Sequence, residues 1–253
     1  MLIKNMELTD VRKEILFMAR DRFGIKPLHY SFLSDGSFAF SSELKALTIH
    51  PAFKKEISST AMGQYLTYRY IPSPTTIWKN TYKLPHGHFG VLNLETYDLK
   101  IDRWYYLPDA IQNRPKSSLD EVNELIEDAV AKRLISDVEV GTLLSGGVDS
   151  TTISAIAKRK HSSIKSFSIG FTPEQYSELP FSNTAAKFLN TDHRTQVIED
   201  FTESDLDRLF WHYDEPLADS SCFPTFLLSK MVAENVKVAL SGDGGDEVFA
   251  GYN

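Results

Sequence analysis

Cysteine is almost missing from this chain: Cys222 stands alone among 253 residues, which excludes a disulfide framework. Long apolar runs are missing too, since every hydrophobic stretch is broken by Ser, Thr or charge well short of the ~20 residues a membrane helix needs. No basic stretch followed by an apolar segment opens the sequence, so the reading is of a soluble, cytoplasmic protein without a membrane partner. Runs of one charge sign are equally scarce. With 27 basic against 34 acidic residues and a net charge of -7, neither nucleic acid nor an anionic surface has electrostatic support as a partner. What is plentiful is core material, 42% hydrophobic and 12% aromatic, enough for one large domain or two small ones.

The pattern changes character along the chain. Residues 15–19, 28–33 and 37–41 read as short strands of a small antiparallel piece, divided by Gly24-Ile25-Lys26-Pro27 and Asp35-Gly36. Helices are expected at 43–49 and from Thr60, with Ser59 or Thr60 as the cap, and residues 84–105 read as a second hairpin-like pair. Residues 108–118 have the composition of a linker, giving a division into 1–107 and 118–253. Beyond it, Val122, Leu125, Ile126, Ala129, Val130 and Leu134 recur at helical spacing, so 119–134 is an amphipathic helix. Strands at 138–144, 164–169 and 236–240 then alternate with helices at 151–160, 181–189, 203–213 and 225–234. Such alternation argues for an α/β fold, a parallel sheet with helices on both faces.

Two glycine-rich loops follow apolar strands. The first, Ser145-Gly146-Gly147-Val148-Asp149-Ser150 after Leu143-Leu144, lets the backbone turn tightly and opens into a helix, whose first amides favour a phosphate. Its hydroxyls add donors, and Asp149 suits a cation bridging that phosphate, because Mg²⁺ is typically held by one or two carboxylates plus phosphate oxygens. No Gly-Lys-Ser/Thr follows and the third glycine of a dinucleotide fingerprint is missing, so kinases and dehydrogenases are disfavoured. The second loop is Ser241-Gly242-Asp243-Gly244-Gly245-Asp246-Glu247. Loops at the carboxyl ends of parallel strands face one crevice, where open α/β sheets bind ligands.

The first loop resembles the pyrophosphate loop of the ATP-pyrophosphatase superfamily. Both loops, with Asp214-Glu215-Pro216-Leu217-Ala218-Asp219-Ser220-Ser221 between them, resemble the synthetase domain of the glutamine-hydrolysing asparagine synthetase family. Upstream, Ala19-Arg20-Asp21-Arg22-Phe23-Gly24-Ile25-Lys26-Pro27-Leu28 and Phe40-Ser41-Ser42-Glu43-Leu44-Lys45-Ala46 look like the last part of that family's Ntn-hydrolase glutaminase domain. Tyr70-Ile71-Pro72-Ser73-Pro74 and Lys83-Leu84-Pro85-His86-Gly87-His88 look like its connection into the synthetase domain. The implied fold is a parallel sheet of the adenine nucleotide α-hydrolase-like type, preceded by the antiparallel C-terminal part of the glutaminase.

The resemblance implies adenylation of the aspartate side chain by MgATP, then amide formation with ammonia, with glutamine as the family's amido donor and a homodimer compatible with it. By position, Leu143, Ile169, Ser241 and Gly242 would cradle the adenosine, Ser145, Gly146, Gly147, Asp149 and Ser150 the pyrophosphate, and Asp149 with Asp246 the Mg²⁺. Asp243 falls near the acyl site, where dedicated asparagine synthetases more usually have glutamate, so a different carboxylate acceptor stays open. So do a nucleotide-binding remnant without catalysis and a β-lactam- or argininosuccinate-forming relative. The family's glutaminase uses an amino-terminal Cys, whereas this sequence begins Met1-Leu2-Ile3 and ends at Gly251-Tyr252-Asn253, before the family's later helical region. The expectation is a chain truncated at both ends and without glutamine hydrolysis of its own. Cys222 reads as a small buried hydrophobe, and His29, His86, His88, His193 and His212 lack metal-ligand spacing. Arg20, Asp21 and Arg22 are expected to form a structural ion network.

Overall fold

The structure, a computed structural model, describes residues 5–10, 12–112, 117–172, 175, 177–198 and 202–251. Part of the expected linker (113–116) and both chain ends, Met1-Leu2-Ile3 and Tyr252-Asn253, fall outside the described residues. The chain divides into two compact units, the first Met1–Pro115 with Phe210–Asp219 and the second Lys116–Leu209 with Ser220–Asn253.

In the first unit, β1 (Asn5–Asp10), β2 (Ile15–Arg20), β6 (His88–Asn93) and β7 (Leu99–Arg103) form an antiparallel sheet in the order β1-β2-β6-β7. A second antiparallel sheet has the order β4-β3-β5, from β3 (His29–Phe32), β4 (Phe38–Ser41) and β5 (Thr81–Lys83). Alternate residues of β2 point into one core, so Leu16 and Met18 pack with Leu28, Tyr30, Leu84 and Leu92. A second cluster, including Leu33, Leu44, Leu47, Phe53 and Ile77, buries α1 (Leu44–Leu47) and the start of α2 (Ser59–Tyr68). The cap of α2 is Ser58, one residue before the expected position, and its hydroxyl accepts from the Ala61 amide at 3.3 Å. The stretch read as linker begins with a short helix, α3 (Leu107–Gln112), none of whose residues is buried.

Among the described residues no close ion pair joins Arg20, Asp21 and Arg22 into the expected network, although the Asp21 charge acts on Arg20. Arg20 and Asp21 instead hold backbone: Arg20 donates to the carbonyls of Lys26 (3.0 Å), Leu84 (2.8 Å) and Gly24 (3.0 Å). Asp21 accepts from the amides of Phe23, Ile25 and Lys26 at 3.0–3.2 Å. Burial by itself would raise the Asp21 pKa, but the N–H donors of Lys26, Ile25, Phe23 and Gly24 outweigh it and hold the carboxyl below the usual range. Asp214 and Glu215 also belong to this unit. Lys45 meets Asp214 at 2.9 Å, and Lys83 meets Glu215 at 2.5 Å while Glu215 accepts from the Ile77 amide at 2.8 Å.

The second unit carries the expected parallel sheet. Its strands β8 (Val140–Leu143), β9 (Lys165–Phe171), β10 (Asp192–Ile198) and β11 (Val238–Leu240) lie in the order β10-β9-β8-β11, every pair parallel. On one face Val140 and Leu240 pack with Val130 and Leu134 at the end of α4 (Leu119–Arg133) and with Ile156 and Ala157 of α5 (Val148–Lys160). On the other, Leu143, Phe167 and Ala239 pack against α8 (Cys222–Ala233) and Val236. Further helices are α6 (Leu179–Leu189), α7 (Glu203–Tyr213), whose residues from Phe210 on belong to the first unit, and the short α9 (Gly245–Phe249). α4 starts with a complete capping box: Ser118 accepts from the Glu121 amide at 3.2 Å and Glu121 accepts from the Ser118 amide at 2.7 Å. Cys222 is buried, as read. Among the described residues no helix is long and apolar enough to cross a membrane.

Candidate functional site

The strand order fixes where a ligand fits in the second unit. From β8 the chain steps outward to β9 and β10, then returns to place β11 on the other side of β8, so the order reverses between β8 and β11. At such a switch point the loops leaving adjacent strands diverge and open a crevice at the carboxyl edge of the sheet. The loops leaving β8 and β11 are the two glycine-rich segments.

The first loop is tied down at every turn. Ser145 and Ser150 hydroxyls lie 2.8 Å apart, the Ser145 amide donates to Ser150 Oγ at 3.2 Å, and the Gly147 amide donates to Ser145 Oγ at 3.2 Å. Gly146 has φ +89°, and a Cβ there would lie 2.5 Å from the Phe181 carbonyl carbon and 2.6 Å from the Ser182 amide. Only glycine meets both demands. α5 begins at Val148, three residues before the expected start, because Gly147 in an extended conformation serves as its N-cap. Gly147 supplies no side-chain acceptor, so first-turn amides are left for an anion, and Asp149 sits in that turn.

The second loop packs onto the first. A Cβ on Gly242 would stand 2.8 Å from the Ser150 amide nitrogen, and one on Gly245 would overlap the Asp149 carboxylate. Asp243 is turned back onto its own loop, accepting from Ser241 Oγ at 2.9 Å. The Asp246 carboxylate lies beside Gly251, at the far end of α9. Leu143 and Phe167 are register partners on one face, so Ile169, two residues on, shares the face with Leu143. The structure therefore brings Ser145, Gly146, Gly147, Asp149 and Ser150 together with Gly242 and Gly245, while Leu143 lies beside Phe167 and Ile169 beside Gln196. Among the described residues no group of three or more His, Cys, Asp or Glu gathers for a metal. Asp149 beside Gly245 and Asp246 beside Gly251 are the carboxylates that the loops offer, and Mg²⁺ typically needs only one or two, taking its remaining oxygens from phosphate and water.

Residues 121–253 match the asparagine synthase family model, and residues 5–105 match the glutamine amidotransferase domain model. The chain belongs to the asparagine synthase family. The two matches run in the order of the sheets along the chain, two antiparallel and then one parallel. Relatives include a putative glutamine-hydrolysing asparagine synthetase of Methanocaldococcus jannaschii, 40% identical over 96% of this chain and 48% of that protein. Asparagine synthetase 1 of Bacillus subtilis is 36% identical over 94% of this chain and 38% of its own length. A putative asparagine synthetase of Mycobacterium bovis is 35% identical over 97% of this chain and 39% of its length. The chain thus spans about half or less of the curated relatives it matches.

Several residues around this site carry no signal in the sequence. Ser168 on β9 donates from Oγ to the Leu144 carbonyl, and Ser166 Oγ lies 2.8 Å from His193 Nδ1 on β10. These contacts depend on strand register between segments some 25 residues apart, which spacing in the sequence does not reveal.

Proposed function

We propose that this chain carries the MgATP site of a carboxylate-activating amidotransferase of the asparagine synthetase type. The observation that supports it most is the meeting of the two glycine-rich loops at the switch point, with Gly242 against the Ser150 amide. The pyrophosphate of ATP lies on Ser145, Gly146, Gly147, Asp149 and Ser150, and the adenosine against Leu143, Ile169, Ser241 and Gly242. The side-chain carboxylate of aspartate attacks the α-phosphorus, the bond to pyrophosphate breaks, and ammonia then displaces AMP from the acyl carbon to leave the amide. Adenylation is required because a carboxylate is a poor electrophile, and amides already aimed at the departing pyrophosphate stabilise its charge without reorganisation. Asp149 and Asp246 would hold Mg²⁺, which would supply further neutralisation of that charge. By its position in the second loop, Asp243 would face the acyl end of this arrangement and bear on the choice of acceptor.

The test is formation of AMP and pyrophosphate from MgATP by the full chain, with aspartate and an ammonium salt, then with other carboxylates and with glutamine as amido donor. Aspartate-dependent AMP is expected. AMP with a different carboxylate alone would replace the acceptor. Binding of MgATP without AMP from any acceptor would leave a nucleotide-binding module and overturn the catalytic reading.

A further inference from the structure

Behind the first loop lies a chain of hydroxyls and one imidazole to which the proposed reaction gives no role. Ser166 and Ser168 project from the same face of β9, and His193 on the neighbouring β10 is the register partner of Ser166. Its Nδ1 is 2.8 Å from Ser166 Oγ and its Nε2 3.4 Å from Ser168 Oγ. Ser166 Oγ is also 2.7 Å from Thr191 Oγ1, and Ser168 Oγ reaches the carbonyl of Leu144, the residue that precedes the loop. Ser166 and Ser168 are buried, as is Leu144, while Thr191 and His193 are half-buried.

Counting donors fixes the direction of every link. A carbonyl only accepts, so the single Ser168 proton goes to Leu144, leaving Ser168 Oγ as an acceptor toward His193. Nε2 must then carry a proton. The other nitrogen of a neutral ring is an acceptor, which takes the Ser166 proton, and Ser166 Oγ in turn accepts from Thr191. In the opposite tautomer, lone pairs of Nε2 and Ser168 would face each other. Burial lowers the His193 pKa, against the opposing pull of a hydrogen bond with the Ser166 backbone. The Leu144 amide donates to the Phe167 carbonyl at 2.9 Å, so the backbone N–H and C=O of Leu144 are both anchored on β9.

We propose that His193, as the neutral Nε2–H tautomer, is a positioning residue that acts through Ser168 to fix the Leu144 carbonyl and hence the direction in which the chain enters the 145–150 loop. Its effect on nucleotide affinity rests on the MgATP reading; its tautomer and its hold on the loop do not. His193→Phe keeps a ring but leaves Ser168 without its donor, and Ser168→Ala removes the link itself. His193→Gln retains an N–H that can reach Ser168.

The experiment is nuclear magnetic resonance on the full chain labelled with ¹⁵N, with the His193 ring signal assigned from its loss in His193→Gln. The Nε2–H tautomer at neutral pH is expected; an Nδ1–H ring or an imidazolium overturns the proposal. Backbone amide shifts of Ser145, Gly146 and Gly147 should move in His193→Phe and in Ser168→Ala, and should return toward wild type in His193→Gln. Unmoved loop amides in both folded variants would equally overturn it. Calorimetry with MgATP then separates the two ideas. If the wild type binds, His193→Phe and Ser168→Ala should each weaken affinity about tenfold, as loss of one net hydrogen bond implies, and the double variant should be no worse than either. Affinity unchanged in the folded single variants overturns the positioning role. A wild type that binds no nucleotide sinks the MgATP reading alone, and the resonance data still decide on His193.

Discussion

The first unit should lose stability as pH falls from 7.5 to 4.5, and one buried histidine accounts for it. His29 on β3 is 6% exposed, and its Nδ1 has no hydrogen-bond partner among the described residues. Burial, then the positive charges of Lys83 and Arg20, push its pKa from 6.5 down to about 4, against the opposing pull of Asp214 and a hydrogen bond with the Ser42 backbone. In the unfolded chain the ring takes its proton near pH 6.5, while the folded ring stays neutral until about pH 4. Between those values the unfolded state holds more protons, so stability rises with pH across the window and is flat below it. The gap corresponds to about 3 kcal/mol, most of it between pH 7.5 and 4.5. For a unit of this size that lowers Tm by roughly 10 °C. All three tryptophans, Trp78, Trp104 and Trp211, lie in the first unit, so fluorescence-detected urea unfolding over this pH range reports on it selectively. His29→Gln should abolish the slope, and Lys83→Met should shrink it by moving the His29 titration upward. A wild type whose midpoint is constant across the window, or a His29→Gln variant with an unchanged slope, would refute the reasoning.

Other substitutions test particular contacts. Gly242→Ala adds a Cβ 2.8 Å from the Ser150 amide and 3.0 Å from the Asp149 Cβ. It should destabilise the second unit by about 1–3 kcal/mol, read by urea unfolding followed by circular dichroism. The same shift of the loops should weaken MgATP binding roughly tenfold or more, read by calorimetry. Ser118→Ala removes the capping box of α4 and should cost about 1 kcal/mol in the same unfolding experiment. Gly63 sits inside α2 with ordinary backbone angles and open space at its Cβ position, so Gly63→Ala should stabilise the first unit by about 1 kcal/mol.

Much of the second unit was legible because its signals are local. Apolar runs end in glycine-rich turns at Leu144 and Leu240, and the spacing of Val122, Ile126, Ala129 and Val130 fixes α4 to within a residue. Elements that bury little were not. β10 reads Asp-His-Arg-Thr-Gln-Val-Ile and occupies an edge, with only Ile198 buried, so it shows neither the alternation of a half-buried strand nor the apolar run of a central one. β1, also an edge strand, is similarly polar, and α3 hides in a stretch whose composition suits a linker. α5 was expected too late because glycine at its N-cap looks like continuing loop until the backbone is seen. The pairs Lys83–Glu215 and Lys45–Asp214 join residues more than a hundred positions apart, and no periodicity anticipates them. The Ser168 and His193 contacts are hidden for the same reason: they follow from register, not from spacing.

The central claim, that the loops after β8 and β11 form one nucleotide site, is tested most directly by titrating MgATP and magnesium pyrophosphate into the full chain and into Gly146→Val. The account predicts that the two ligands compete for a single site in the wild type. It also predicts that Gly146→Val, which forces a side chain against the Phe181–Ser182 backbone, binds neither while the parallel sheet stays folded. Absence of binding to the wild type, or binding that survives in a folded Gly146→Val variant, would contradict it.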